Sequence, residues 1–257
     1  MAAYRADQVR AALGYWRQSL DLAPDPALQA LYDDANREAA ADHGAGHSSD
    51  KLYGRHVELR YDSTRIPPVA AQSILAALEA GYARISGELG CEAHERIAAI
   101  VQTRDQYVRA TGAAEWSGGY YDGRIHLVWS GRLDEGRIGH SVLHELVHAC
   151  LASIPSGGLP WPAWFQEGLA QRISGDQLTP SAREQLRQLA QAHRLPRLSD
   201  LGPGWFTMRE PDAAVAYNIS LAAVNTLVDR HAGDIRSILL DPEQLLQVTL
   251  DLDSTSF

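Results

Sequence analysis

His144-Glu145-Leu146-Val147-His148 constrains this chain more than any other stretch of it. On an α-helix, residues four apart share a face at a spacing of about 6 Å, so both imidazoles aim at one point. Glu145 sits beside them, within reach of a water held at that point. The neighbours Ser141, Val142, Leu143, Ala149, Cys150 and Leu151 are uncharged, as a buried helix requires. Neutral imidazole suits zinc, and a catalytic zinc site keeps an open fourth position. Two histidines do not complete such a site, so the fold must supply a third donor from elsewhere. His140 extends the line to i, i+4, i+8, but eight residues rise about 12 Å along a helix, too far for three imidazoles to meet one ion. It is expected to pack or to hydrogen-bond behind a ligand.

The rest of the chain supplies a scaffold of alternating character. Val9, Leu13, Trp16 and Leu20 mark a helix, Leu22-Ala23-Pro24-Asp25-Pro26 breaks it, and Leu28, Leu31 and Tyr32 begin another that runs to about residue 37. Residues 41–50 are small, polar and without period, a linker. Strands are expected over 56–61 and 96–101, with a helix over 69–89 between them and a short one over 106–111. Asp122-Gly123 joins extended runs 116–120 and 124–129 as a hairpin. Helices are then expected over 134–152, 164–174, 181–193 and 212–231.

Composition narrows the functions. The 257 residues are 45% hydrophobic, enough for a real core in one large domain or two small ones. A formal net charge of −9 without a Lys/Arg cluster argues against nucleic acid as a partner. No apolar run reaches the roughly 20 residues a membrane span needs. The first 20 residues, broken by Arg5, Asp7, Arg10 and Arg17, have no signal-peptide core, so a cytoplasmic location is expected. Cys91 and Cys150 are too few for a disulfide scaffold or a thiolate zinc site. Cys150 lies about 200° around the helix from His148 and reads as a buried core thiol. Among the ten histidines, His126 reads as an exposed strand residue and His43 and His47 as solvated linker residues.

The third ligand decides the reading. Trp164-Phe165-Gln166-Glu167-Gly168-Leu169-Ala170 opens a new helix with Glu167 nineteen positions after His148, and Gly157, Gly158 and a proline supply a bend in between. H-E-x-x-H followed at this spacing by W-x-x-E-G-x-A resembles the gluzincin metallopeptidases, in particular peptidase-MA-like domains that follow tetratricopeptide repeats. The resemblance spans about residues 52–239. It implies His144, His148 and Glu167 as ligands of one Zn2+ per chain and Glu145 as the general base that acts on a zinc-activated water. It also implies an oxyanion donor from the helical half, for which Tyr217 is the candidate and His231, read as a helix C-cap, the reserve. The hairpin just before the motif resembles the sheet edge that receives extended substrate, with Gly118, Gly119 and Tyr120 as substrate-binding residues. One departure is Gln171, four after Glu167, where a well-known gluzincin branch has an acidic residue supporting a ligand histidine.

The expected architecture is α+β and zincin-like: a small mixed sheet with the active-site helix, followed by a mostly helical C-terminal half. Its parts are a helical, tetratricopeptide-like segment 1–40, a linker 41–52 and a metallopeptidase domain 53–257, itself divided at 153/154. The expected function is a zinc peptidase, an endopeptidase since no amine-recognising motif is evident, acting on a peptide or protein. The alternative is a non-catalytic zinc-binding interaction module whose N-terminal helices hold a protein partner.

Overall fold

The structure, a computed structural model, describes residues 1–43, 49–132, 134–156, 161–242 and 244–255. It is an α+β protein, mostly helical, with one small mixed sheet. The chain divides into two compact units, Met1–Ala80 with Ala93–Val142, and Gly81–Glu92 with Leu143–Phe257. Among the described residues, no helix is long and apolar enough to cross a membrane.

The first unit begins with α1 (Ala2–Arg5), α2 (Val9–Leu22) and α3 (Pro26–His43). The expected first helix is interrupted where Asp7 adopts a left-handed backbone. Tyr4, Ala12, Trp16 and Ala35 form a small core, with the Tyr4 and Trp16 rings 5.1 Å apart. The linker is shorter than its composition suggested. α3 continues into it, and β1 (Asp50–Tyr53) begins at its end, pairing antiparallel with β2 (Val57–Tyr61). Leu52 is the sole branched aliphatic residue in β1, too weak a signal for a strand. Residues 44–48, including His47, lie outside the described residues.

β2 buries Val57, Leu59 and Tyr61 on one face, then α4 (Pro68–Leu89) returns the chain to β3 (Ile97–Thr103), parallel to β2. β3 is buried almost throughout because it has parallel neighbours on both sides. Thr103 and Gln106 form a capping box that starts α5 (Arg104–Thr111). The hairpin β4 (Gly119–Tyr121) and β5 (Ile125–Trp129) turns at Asp122-Gly123, where Gly123 has φ +107°. β5 pairs parallel with β3, giving the order β1-β2-β3-β5-β4 with β4 at an edge. α6 (Glu135–Ser153) follows.

A buried charge network ties the N-terminal helices to this sheet. The Arg124 side chain is fully buried and binds Glu38 through both terminal nitrogens (3.1 and 2.5 Å), Asp7 at 3.0 Å and Asp122 at 3.2 Å. The Tyr4 ring lies 3.9 Å beneath its guanidinium, and the Tyr4 hydroxyl donates to Asp122 at 2.6 Å. Arg60 adds contacts to Asp7 at 2.9 Å and Glu38 at 3.2 Å. His126, expected to be exposed, is buried instead. β5 turns it inward, where Nδ1 lies 3.2 Å from Gln102 and Nε2 3.3 Å from Asp122.

The second unit adds α7 (Ala163–Ser174), α8 (Pro180–Gln191), α9 (Glu210–Arg230), α10 (Ile235–Leu239) and α11 (Gln244–Thr255). The last two were not anticipated. α10 is a single short turn, and α11 carries its apolar residues as Leu245, Leu246, Val248, Leu250 and Leu252 among polar ones. α11 joins the unit through specific bonds. Trp164 Nε1 donates to Thr249 at 3.1 Å, and the Asp253 carboxylate accepts from the amides of Leu198 and Ser199.

Cys150 is not a free thiol. It forms a disulfide with Cys91, with Cα atoms 5.5 Å apart. Gly90, at φ +77°, ends α4 with a left-handed turn that presents Cys91, and Arg236 holds the same end through the carbonyl oxygens of Gly87 and Glu88. The pairing was invisible in the sequence because 59 residues separate the two cysteines. Closing a loop of that length contributes about 2–4 kcal/mol in the chain-entropy picture. The double variant Cys91→Ser/Cys150→Ser is therefore expected to lose about that much stability in denaturant unfolding, a loss that reductant reproduces in the wild type. Equal unfolding midpoints for oxidised and reduced wild type would contradict this.

Candidate metal centre

α6 carries His144, Glu145 and His148, and the i, i+4 spacing sets the two imidazoles edge-to-face with centroids 5.1 Å apart. α7 brings Glu167 against them. Its Oε2 lies 3.2 Å from His144 Nε2 and 3.6 Å from His148 Nε2. Donors at about 2.1 Å from a tetrahedral ion stand about 3.4 Å from one another, and both Glu167 distances fall near that value, the three donor atoms all lying within 4.8 Å of one another. The chemistry of the set also fits, with two neutral nitrogen donors and one anionic oxygen. The disulfide braces the opposite face of α6, two residues beyond His148.

Electrostatics bind the three side chains before any cation does. Burial works against the Glu167 carboxylate, but the charge of His148 and hydrogen bonds from both histidines outweigh it and hold it well below the usual carboxylate range. Burial likewise opposes a charged His148, yet the Glu167 charge and hydrogen bond raise it above the usual imidazole value. A dication at this point would replace the proton that the cluster otherwise recruits.

Gln166, beside Glu167 on α7, is a neighbour that sequence reasoning missed: it favours the charged form of His148, and its Nε2 donates to the Trp161 carbonyl at 2.8 Å. Gln171 is buried, and its Oε1 has no hydrogen-bond partner among the described residues. The bend glycines Gly157 and Gly158 lie outside the described residues.

Glu145 is buried beside the ligands. Tyr217, on α9, is partly buried, and its ring stands 6.4 Å from the His144 ring at 63°. α9 reaches this position because α7 has a glycine at the crossing. A Cβ at Gly168 would overlap the Ser220 carbonyl and lie 2.7 Å from Val224 Cγ2. Ser220 is one turn beyond Tyr217, so the same crossing turns Tyr217 toward the ligands. His231 caps the far end of α9, fourteen residues and roughly 20 Å along the helix. It cannot share the Tyr217 position. Since the obstacle at Gly168 is backbone, Gly168→Ala is expected to cost about 1–3 kcal/mol in denaturant unfolding. A variant as stable as wild type would show that α9 does not depend on this close approach.

Gly118, Gly119 and Tyr120 belong to the other unit, at the start of β4. The Gly119 carbonyl accepts from the Tyr107 hydroxyl at 2.8 Å, and Tyr120 pairs with His126 across the hairpin. The Ser117 hydroxyl bonds the same Gly119 oxygen at 3.0 Å, and β4 has one sheet neighbour, β5, among the described residues. His140 is partly buried one turn before His144. A second group, Glu38, Asp122 and His126, also gathers potential donor atoms. There the Arg124 guanidinium already supplies the positive charge a cation would bring. Compared with known protein families and with curated proteins, the chain matches none of them.

Proposed function

We propose that this chain is a zinc-dependent peptidase of gluzincin type, an endopeptidase, with a zincin-like arrangement of its α+β fold. The observation that carries the reading is the convergence of His144 Nε2, His148 Nε2 and Glu167 Oε2 at ligand spacing, with a buried glutamate beside them. Zinc, when bound, supplies a Lewis acid that polarises a carbonyl and acidifies water near neutral pH. Glu145 takes one proton from the attacking water and delivers it to the leaving nitrogen as the C–N bond breaks. The Tyr217 hydroxyl donates a hydrogen bond to the carbonyl oxygen as it gains negative charge. Gly118, Gly119 and Tyr120, at the start of the edge strand β4, are the proposed contacts for an extended peptide adding as a further strand.

The disulfide bears on the compartment. Such bonds persist in oxidising surroundings and are rare in the cytosol, so the proposed site of action is an oxidising compartment rather than the cytoplasm.

The test pairs two measurements on the full chain: zinc per chain, and cleavage of a mixed peptide library by wild type and Glu145→Gln. One zinc with cleavage that the variant loses supports the reading. One zinc without any cleavage selects the non-catalytic zinc-binding module, and absence of zinc sinks both.

A further inference from the structure

The geometry points to Trp205 as the residue that positions the Tyr217 phenol, an inference that rests on the peptidase reading above. Trp205 lies in the connection from α8 to α9, in a single 3-10 turn, Trp205–Thr207, that ends two residues before α9 begins. Two features fix its indole independently of Tyr217. Gly204, at φ +95°, folds the connection back on itself, and the indole Nε1 donates to the carbonyl oxygen of Gly202 within the same loop. The side chain is 1% exposed and, with Trp164 in the same unit, is the largest among the fully buried side chains.

Against this fixed plane stands Tyr217. The two rings are 5.1 Å apart at 85°, an edge-to-face contact, and the Tyr217 ring also stands 6.4 Å from that of His144. The phenol ring thus neighbours both a clamped indole and an imidazole of the proposed metal site. A helix leaves an aromatic side chain two common χ1 wells, and only contacts beyond the helix select between them. The His144 ring is itself oriented by Glu167 and meets His148 edge-on, whereas the indole is clamped by its own loop and offers a rigid contact that favours one well. Trp205 is accordingly a positioning residue, acting on the reaction through the Tyr217 hydroxyl. Sequence reading placed Trp205 in no element, and the Gly-Pro-Gly before it reads only as a loop.

The experiment compares wild type, Trp205→Leu, Trp205→Phe, Tyr217→Phe and the double variant Trp205→Leu/Tyr217→Phe. Steady-state kinetics are measured on zinc-loaded full-length protein. In parallel, 19F spectra are recorded with 3-fluorotyrosine incorporated, the Tyr217 resonance being the one lost in Tyr217→Phe. An edge-to-face contact of this class biases a rotamer by roughly tenfold, so Trp205→Leu is expected to lower kcat about tenfold with KM and zinc content unchanged. Trp205→Phe, which keeps an aromatic face, shows a smaller loss in the same direction. In the Tyr217→Phe background the Trp205→Leu change has no further effect on kcat. The Tyr217 fluorine resonance shifts or broadens in Trp205→Leu, with or without zinc.

Equal kcat losses in the presence and absence of the Tyr217 hydroxyl would overturn the inference. So would a Tyr217 resonance that ignores both Trp205 substitutions. If wild type binds no zinc or cleaves nothing, the peptidase reading fails on its own, and the fluorine comparison still decides whether Trp205 sets the phenol. Should Trp205→Leu not fold, Trp205→Phe carries the same two comparisons.

Discussion

Glu145→Gln is expected to lower kcat/KM for peptide hydrolysis roughly 10²–10⁴-fold, about 3–5 kcal/mol of transition-state stabilisation, while leaving one zinc per chain. The amide has the size and hydrogen-bonding reach of the carboxylate but cannot take a proton from water. Glu145 is buried, so bulk solvent gives little help in replacing it. The three donor atoms that gather at the site belong to other residues, His144, His148 and Glu167. Occupancy therefore separates from turnover in this variant, with kcat carrying the loss and KM little changed. Zinc loss in Glu145→Gln, or cleavage at the wild-type rate, would remove Glu145 from the role of base. Glu167→Gln serves as the contrast, since it takes away the anionic donor and should reduce occupancy itself.

Arg124→Met is expected to destabilise the sheet-containing unit by about 3–5 kcal/mol at neutral pH, the range found when one partner of a buried ion cluster is removed. Methionine fills much of the space but leaves Glu38, Asp7 and Asp122 facing one another. These three carboxylates come from α3, from the break between α1 and α2, and from the hairpin turn, so the N-terminal helices lose their tie to β5. Denaturant unfolding at pH 7 and at acid pH measures the effect. Its pH dependence has a definite sign. Burial opposes the Asp122 charge, but His126 and Arg124, with the Tyr4 hydrogen bond, outweigh that and hold the carboxyl well below its usual range. A group depressed in the folded state stabilises above its unfolded value, about 3.9 for aspartate, and that stability disappears as pH falls through the folded value. The gap between wild type and Arg124→Met should therefore narrow in acid. A gap that stays constant, or a variant as stable as wild type at pH 7, would show that the network is not what docks these helices.

The network also changes how the N-terminal segment reads. As sequence, its two amphipathic runs look like part of a repeat with a face to spare for a partner. In the fold, Tyr4, Trp16 and Ala35 turn that face on one another, while the Tyr4 hydroxyl donates to Asp122 and the Glu38 carboxylate accepts from Arg124. An amphipathic pattern states that a face is buried. It does not state against what.

Legibility followed the range of the interaction. The pairing of His144 and His148 on one face of α6, the helices α4, α7 and α9 and the turn at Asp122-Gly123 were readable because each is set within a few residues, by helical period or by turn chemistry. β1 was lost because its four residues are half polar and depend on β2 for their identity as a strand. His126 was misjudged because alternation along β5 does not say which face the sheet covers.

By itself, then, the sequence determined that two imidazoles and a carboxylate share one helical face, and that a glutamate opens a later helix. Only the tertiary structure decided that Glu167 reaches both histidines and that Gly168 admits α9 beside them. It likewise decided that Trp205 closes on Tyr217, that Cys91 meets Cys150 and that Arg124 gathers three distant carboxylates. The physical reason is common to all five. Local period fixes which face a residue occupies, whereas its partner across the fold is chosen by how whole elements pack, and no window of neighbouring residues contains that choice.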